Sequence, residues 1–162
     1  MIESKFKTGT LTGIIISLVM LVILIVGLII FIVKSNDNIL MFVIALIPFL
    51  VILIWLTWGE IRTKGIRVTI GPEKLTRSNF FGMGTVRTFG NAEIDGYKIS
   101  VSPSEYQDYE YLYLMTGNRK TIKISEFYHS NYFELKKEIS KRFKKLGEEK
   151  FSFIREFKEA FH

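Results

Sequence analysis

The 162-residue sequence contains no cysteine, which excludes two kinds of site. Without cysteine, neither a disulfide framework nor a thiolate metal site can form. Histidine is almost as scarce, since His129 and the final residue, His162, are the two in the chain. Neither has a partner at metal-ligand spacing, so we expect no metal, no cofactor and no enzymatic activity. We expect His129 to be a surface or capping residue.

Charged residues are nearly absent from 8–59, where Lys34 and Asp37 are the two exceptions. The apolar stretches 11–33 and 39–58 flank this pair. A bilayer core about 30 Å thick needs about 20 apolar residues as helix, whereas a signal peptide has an apolar core of about 7–15 residues. The sequence therefore predicts a transmembrane helical hairpin. With no ionisable residue deep in either stretch, channel and pump functions are disfavoured.

Basic residues flank both outer ends of this predicted hairpin. They are Lys5 and Lys7 before the first helix, and Arg62, Lys64 and Arg67 after the second. Because cytoplasmic flanks are usually the basic ones, we expect a multi-pass protein of the inner (plasma) membrane with both termini in the cytoplasm. Trp55, Trp58, Arg62 and Lys64 would then lie at the membrane interface, a depth that tryptophan rings favour.

After Trp58 the pattern changes to short runs rich in β-branched and aromatic residues, separated by turn-forming residues. These runs predict six strands, at 66–70, 74–81, 85–89, 96–101, 109–115 and 120–124. The last two form a hairpin with two candidate registers, and a slip of one residue exchanges its faces. A two-residue turn places Tyr111 and Tyr113 on the inner face. A three-residue turn places Leu112 and Leu114 there, and we favour this register because it leaves the tyrosine hydroxyls in water.

A helical pattern follows, in which Asn131 is the expected cap. Its apolar stripe comprises Tyr132, Leu135, Ile139, Phe143 and Leu146, and Gly147 marks the expected end. The opposite side carries Lys137, Lys141, Lys144 and Lys145. Two interpretations of these lysines remain open, contact with anionic lipid and a solvated helix face.

The segment 150–162 predicts a second amphipathic helix. One face of it would carry Phe153, Ile154, Phe157 and Phe161. This face is expected to pack on its own domain, on a partner or second copy, or on the membrane, and among the last two we favour protein contact.

The soluble part with its preceding hairpin resembles the bacterial pleckstrin-homology-like (bPH) membrane proteins. The resemblance rests on Ile-Arg-Val-Thr-Ile-Gly-Pro-Glu-Lys-Leu at 66–75, Glu-Ile-Asp-Gly-Tyr at 93–97, Tyr-Leu-Tyr-Leu at 111–114, Gly-Asn-Arg-Lys-Thr-Ile-Lys-Ile at 117–124 and Phe-Glu-Leu at 133–135. It implies an α+β domain, a partly open antiparallel β-barrel or sandwich capped by a C-terminal amphipathic helix. The first hairpin of the domain offers only Lys74 and Arg77, so it carries no phosphoinositide motif.

These patterns divide the chain into a cytoplasmic N-terminal segment (1–10), the hairpin (11–58), a PH-like domain (65–148) and a C-terminal helix (150–162). We expect a non-catalytic, membrane-anchored interaction module. The alternative is a structural or regulatory subunit of a larger membrane complex, recognised through its hairpin. The expected partners are the lipid bilayer and another membrane protein or a second copy. A tyrosine platform for nucleic acid, built on residues such as Tyr111 and Tyr113, is less favoured than a solvated sheet face.

Overall fold

The computed structural model describes residues 1–34, 39–103 and 107–152, together with Ile154 and Lys158. It has an α+β architecture, in which two long apolar helices precede most of two β-sheets and a shorter helix. The predicted α+β class is therefore confirmed. The strands of the described residues form two separate sheets and not a closed barrel.

The two apolar helices are α1 (Thr8–Lys34) and α2 (Ile39–Ile54). After α2 the chain continues as a π-helical stretch, Trp55–Ile61, and as the short helix α3 (Arg62–Lys64). Helices over Thr8–Lys34 and Ile44–Lys64 are long and apolar enough to cross a membrane. Residues 59–64, which lie between the predicted hairpin and the predicted domain, are helical. At about 1.5 Å of rise per residue, this segment advances less than half as far as an extended chain.

The first sheet is antiparallel, with strand order β1-β2-β3-β4. Its strands are β1 (Ile2–Glu3), β2 (Arg67–Ile70), β3 (Lys74–Ser78) and β4 (Val86–Gly90). The second sheet has the order β7-β6-β5-β8, and β8 runs parallel to β5. Its strands are β5 (Gly96–Ser102), β6 (Tyr109–Thr116), β7 (Arg119–Ser125) and β8 (Lys145–Glu148).

Two of these strands, β1 and β8, were not predicted. β1 lies before the apolar helices and has only two residues, too few to show the alternation of apolar and polar side chains that predicts a strand. The second predicted strand, 74–81, also extended too far: β3 ends at Ser78, because Phe80 and Phe81 adopt left-handed φ values of 50° and 58°. Such values interrupt a strand, since extended residues have negative φ.

The last helix, α4 (Tyr132–Arg142), is shorter than predicted. Phe143 is extended, and the following residues form β8 in place of the helix expected to reach Leu146. The edge of β5 competes for this segment, and Tyr97 N–H donates to the Lys144 carbonyl at 2.9 Å. Leu146 is accordingly 39% exposed and does not belong to the buried stripe.

The core lies between the inner faces of the two sheets and α4. Its fully buried members include Val68, Ile70, Leu75, Leu112, Leu114, Ile122, Ile124, Leu135 and Ile139. In the β6–β7 hairpin, Leu112 pairs with Ile124 and Leu114 with Ile122, so the leucine face is inward, as predicted. The turn itself has two residues, and a register shift between Leu114 and Met115 restores the leucine face. The leucines face inward because of a β-bulge, whereas the sequence analysis attributed this facing to a three-residue turn.

Candidate functional site

The two chain segments that enter and leave the helices lie side by side at one end of the sheets, here called the hairpin end. β1 leads towards α1, and β2 follows α3 directly. Ser4 N–H donates to the Val68 carbonyl at 2.8 Å, and Val68 N–H donates to the Ser4 hydroxyl oxygen at 2.9 Å. Three residues later, Lys7 N–H donates to the Tyr128 carbonyl at 2.9 Å. The sheets are therefore bonded to both ends of the helical pair.

His129 is fully buried at the hairpin end, so the prediction of a surface or capping histidine was wrong. Its Nε2 lies 2.8 Å from the Ile66 carbonyl oxygen, and its Nδ1 lies 2.9 Å from the Ser125 carbonyl oxygen and 3.2 Å from the Ser125 backbone nitrogen. Both ring nitrogens therefore face a backbone carbonyl, which can only accept a hydrogen bond. Burial lowers the pKa of His129, although its bonds to Ile66 and Ser125 oppose that shift. The ring thus links the start of β2 to the connection between β7 and α4.

Asn131 occupies the cap position before α4, but its side chain makes no capping hydrogen bond. Instead, its Nδ2 donates to the Glu3 carbonyl at 2.9 Å, and its Oδ1 accepts from Lys5 N–H at 2.8 Å. The residue therefore holds the segment between β1 and α1. A partner more than a hundred positions away explains why a local capping pattern did not reveal this role.

Aromatic rings fill the space between the two chain segments at the hairpin end. The Phe6 and Phe81 rings meet edge to face with centroids 4.9 Å apart, and Phe6 also lies 5.1 Å from the His129 ring. Phe81 N–H donates to the Gly65 carbonyl at 2.7 Å. This bond places the connection between β3 and β4 at the hairpin end. Met83, which lies in the same connection, is 85% exposed.

A shallow cleft of about 380 Å³ lies where α1 meets the domain. It is lined by Gly9, Thr10, Gly13, Ile14, Ser17, Leu56 and Phe127. Thr10 Oγ1 donates to the Phe127 carbonyl at 3.0 Å, which fixes the first turn of α1 on the β7–α4 connection.

The tyrosine face of the second sheet is covered, contrary to the expectation of solvated hydroxyls. Tyr111 and Tyr113 are 6% and 1% exposed. The Phe151 ring stacks on Tyr111 with centroids 6.1 Å apart, and Lys120 lies 4.1 Å from the centre of the Tyr113 ring. These rings are not exposed as a stacking platform. Phe151, which follows β8, is a contact that the sequence analysis missed because its helical pattern started at Lys150.

Three of the four lysines singled out around α4, Lys141, Lys144 and Lys145, lie towards the end of the domain opposite the hairpin. Arg142, the last residue of α4, donates from Nη1 to the Gly71 carbonyl, which lies in the turn beyond β2. Lys137, Lys141, Lys144 and Lys145 are all exposed. Two of them have acidic neighbours: Lys141 lies 3.8 Å from Glu138, and Lys145 lies 2.9 Å from Glu148. The structure therefore does not bring Lys141, Lys144 and Lys145 together with the hairpin end.

The four residues assigned to a membrane interface lie on one helical run after α2. Trp55 is 37% exposed, and Arg62 and Lys64 are partly buried in α3. The Trp58 side chain lies outside the described part. In the C-terminal segment, Ile154 is 72% exposed, whereas Phe153, Phe157, Phe161 and His162 lie outside the described residues.

A pair of arginines at the hairpin end was not singled out by the sequence analysis. Arg77 of β3 and Arg87 of β4 are direct cross-strand partners. Within the residues that the structure describes, no group of three histidine, cysteine, aspartate or glutamate side chains is placed to hold a metal ion. Comparison with known proteins found no matching protein family, no matching curated protein and no matching solved structure.

Proposed function

We propose that this protein is a non-catalytic interaction module, held at the cytoplasmic surface of the membrane by its helical hairpin. The observation that carries the proposal is the double attachment of the sheets. β1 precedes the first apolar helix, β2 follows the second, and the two strands pair with each other through Ile2–Ile70 and Glu3–Thr69. A domain bonded at both points has little freedom to leave the membrane surface. Its natural targets are lipid headgroups and the parts of other membrane proteins beside it.

The resemblance to bacterial PH-like membrane proteins supports this assignment. Strands β2 to β7 followed by α4 match the order of elements that the resemblance implies, and α4 buries Leu135 and Ile139 between the sheets. The basic residues that flank the apolar helices support a cytoplasmic location for the domain.

The proposal is tested by crosslinking in native membranes and purification of the full chain. A second version carries polyleucine of equal length in place of 11–33 and 39–54, so that the domain and its two attachments are retained. We expect the same crosslinked membrane protein with both versions. Loss of that protein from the polyleucine version alone would instead support a subunit recognised through its hairpin. Recovery of no membrane protein with either version would contradict both.

A further inference from the structure

The cationic pair at the hairpin end is built into the first sheet. Arg77 pairs with Arg87 across β3 and β4, two residue pairs along from the Leu75–Phe89 pair. Because side chains alternate along strands, both arginines share the face that carries Leu75 towards the core. Like charges directly opposite each other destabilise a sheet, so this arrangement calls for a compensating anion.

Arg77 is held in place from the second sheet. Its Nη1 donates to the carbonyl of Thr121 on β7, which fixes the side chain across the gap between the sheets. Its Nε is buried and has no hydrogen-bond partner. An arginine fork with one fixed arm and one unused donor is suited to a planar or tetrahedral oxyanion.

A third arginine, Arg62 of α3, also contributes positive charge near this pair. Burial lowers the pKa of Arg77, and the nearby charges of Arg87 and Arg62 lower it further. The geometry agrees, because α3, which carries Arg62, packs beside β7, the strand to which Arg77 donates. Arginine stays protonated, so Arg62 and Arg87 both place positive charge near Arg77. None of the ion pairs among the described side chains involves Arg77 or Arg87.

An exposed apolar side chain lies in the connection that joins the two arginine-bearing strands. It is Met83, between β3 and β4, which is 85% exposed. The same connection is fixed to the end of α3 through Phe81 and Gly65. A cationic site near the exposed Met83, at the end where two apolar helices leave the domain, matches a ligand that is anionic at one end and apolar at the other.

We propose that Arg62, Arg77 and Arg87 bind the phosphate of an anionic phospholipid headgroup, with Met83 lying towards the glycerol and upper acyl region. This inference rests on the proposed function, because it requires the hairpin end to face a membrane. The shared chemistry is a phosphate oxyanion, which a free phosphate ion also offers, and the experiment separates the two sources.

The test measures lipid binding to the full chain in detergent by native mass spectrometry. Phosphatidylglycerol and phosphatidylcholine are titrated separately, and inorganic phosphate is added as a competitor in a third arm. We expect phosphatidylglycerol to bind more tightly than phosphatidylcholine. Arg87→Gln should weaken phosphatidylglycerol binding about tenfold, because one charge-assisted contact is lost. Arg87 is exposed, so this substitution should leave the fold intact.

Lys74→Gln is the matched control, since it removes the same charge from the other end of β3. It should leave phosphatidylglycerol binding unchanged, and Arg87→Lys should bind more tightly than Arg87→Gln. Equal binding of phosphatidylglycerol by the parent, Arg87→Gln and Lys74→Gln would overturn the site. Displacement of the lipid by millimolar phosphate would overturn the lipid assignment. Both results leave the crosslinking outcome untouched, so failure of this site is distinguishable from failure of the interaction module.

Discussion

Three buried polar side chains, Ser4, His129 and Asn131, hold the hairpin end together by bonding to backbone groups far away in sequence. Each satisfies backbone donors or acceptors that the short β1 strand and the irregular β7–α4 connection leave unpaired. His129 differs from the other two because it can change its charge near neutral pH. At the scale of single residues, the stability of this end therefore depends on a ring whose charged form is disfavoured by burial.

Acidification should destabilise the protein through His129. Its pKa is lowered in the folded state, so the unfolded chain binds more protons between that value and the ordinary value near 6.5. The free energy of unfolding should then fall as the pH falls through this window, by at most about 1.4 kcal/mol per pH unit. Melting temperatures of the full chain in detergent between pH 8 and pH 5 would measure it. His129→Gln should show a flatter profile over the same range, and an equally steep one would exclude His129 as the cause.

A methyl group at Gly96 should disrupt the pairing of β5 with β8. A Cβ there would lie 2.3 Å from the Lys144 carbonyl oxygen and 2.7 Å from Leu146 Cγ. We expect Gly96→Ala to reduce the free energy of unfolding by about 2–4 kcal/mol, as other strained backbone sites do. Gly13→Ala is the control, because nothing lies within 4 Å of a Cβ at that position. Similar denaturant midpoints for the two variants would contradict this account.

At the scale of elements, the sequence predicted the strands with clear apolar alternation and the helix with a strong apolar stripe. β2 to β7 and α4 all lie within a few residues of their predicted positions. The prediction was wrong where pairing with a distant strand outweighs the local pattern. Lys145–Glu148 has a helical periodicity but forms a strand that pairs with the edge of β5. The β6–β7 hairpin shows the intermediate case, in which burial of Leu112 and Leu114 selected the face and a bulge accommodated the turn. The arginine pair could not be predicted, because it depends on the register of β3 against β4.

Phe151 should stabilise the domain from outside the second sheet. Its ring stacks on Tyr111 and covers a cluster that includes Tyr113 and Met115. Phe151 is partly buried, so we expect Phe151→Ala to lower the free energy of unfolding by about 1–2 kcal/mol. Ile154→Ala is the control, since Ile154 is 72% exposed and should contribute little. Chemical denaturation of both variants would compare them, and an unchanged Phe151→Ala midpoint would show that the tyrosine cluster does not need this ring.

At the scale of the whole molecule, two helices long enough to cross a membrane leave the same end of an α+β domain. The composition of 8–59 was sufficient to predict these helices, since so few charges interrupt it. It did not reveal that the helical run continues to Lys64, because the charged residues 60–64 resemble a linker in composition. Continuity of this helix brings Arg62 beside the sheets, and this placement creates the arginine site.

The proposed orientation predicts opposite accessibility for two engineered cysteines. The natural chain has none, so each label reports one position. A cysteine at Asn36, between the two helices, should react with an impermeant thiol reagent in intact cells. A cysteine at Asn118, an exposed residue of the β6–β7 turn, should react only after the membrane is opened. Labelling of Asn118→Cys alone in intact cells would reverse the orientation.

The position of β1 also constrains the order in which the molecule can be made. Ile2 and Glu3 leave the ribosome before the apolar helices, but their partners Ile70 and Thr69 are synthesised after both. In the proposed orientation, the first strand waits on the side where translation occurs until both helices have been inserted. The first sheet can close only after β2 has been synthesised. A bulky tag fused at Met1 would interfere with this late closure more than one fused after His162.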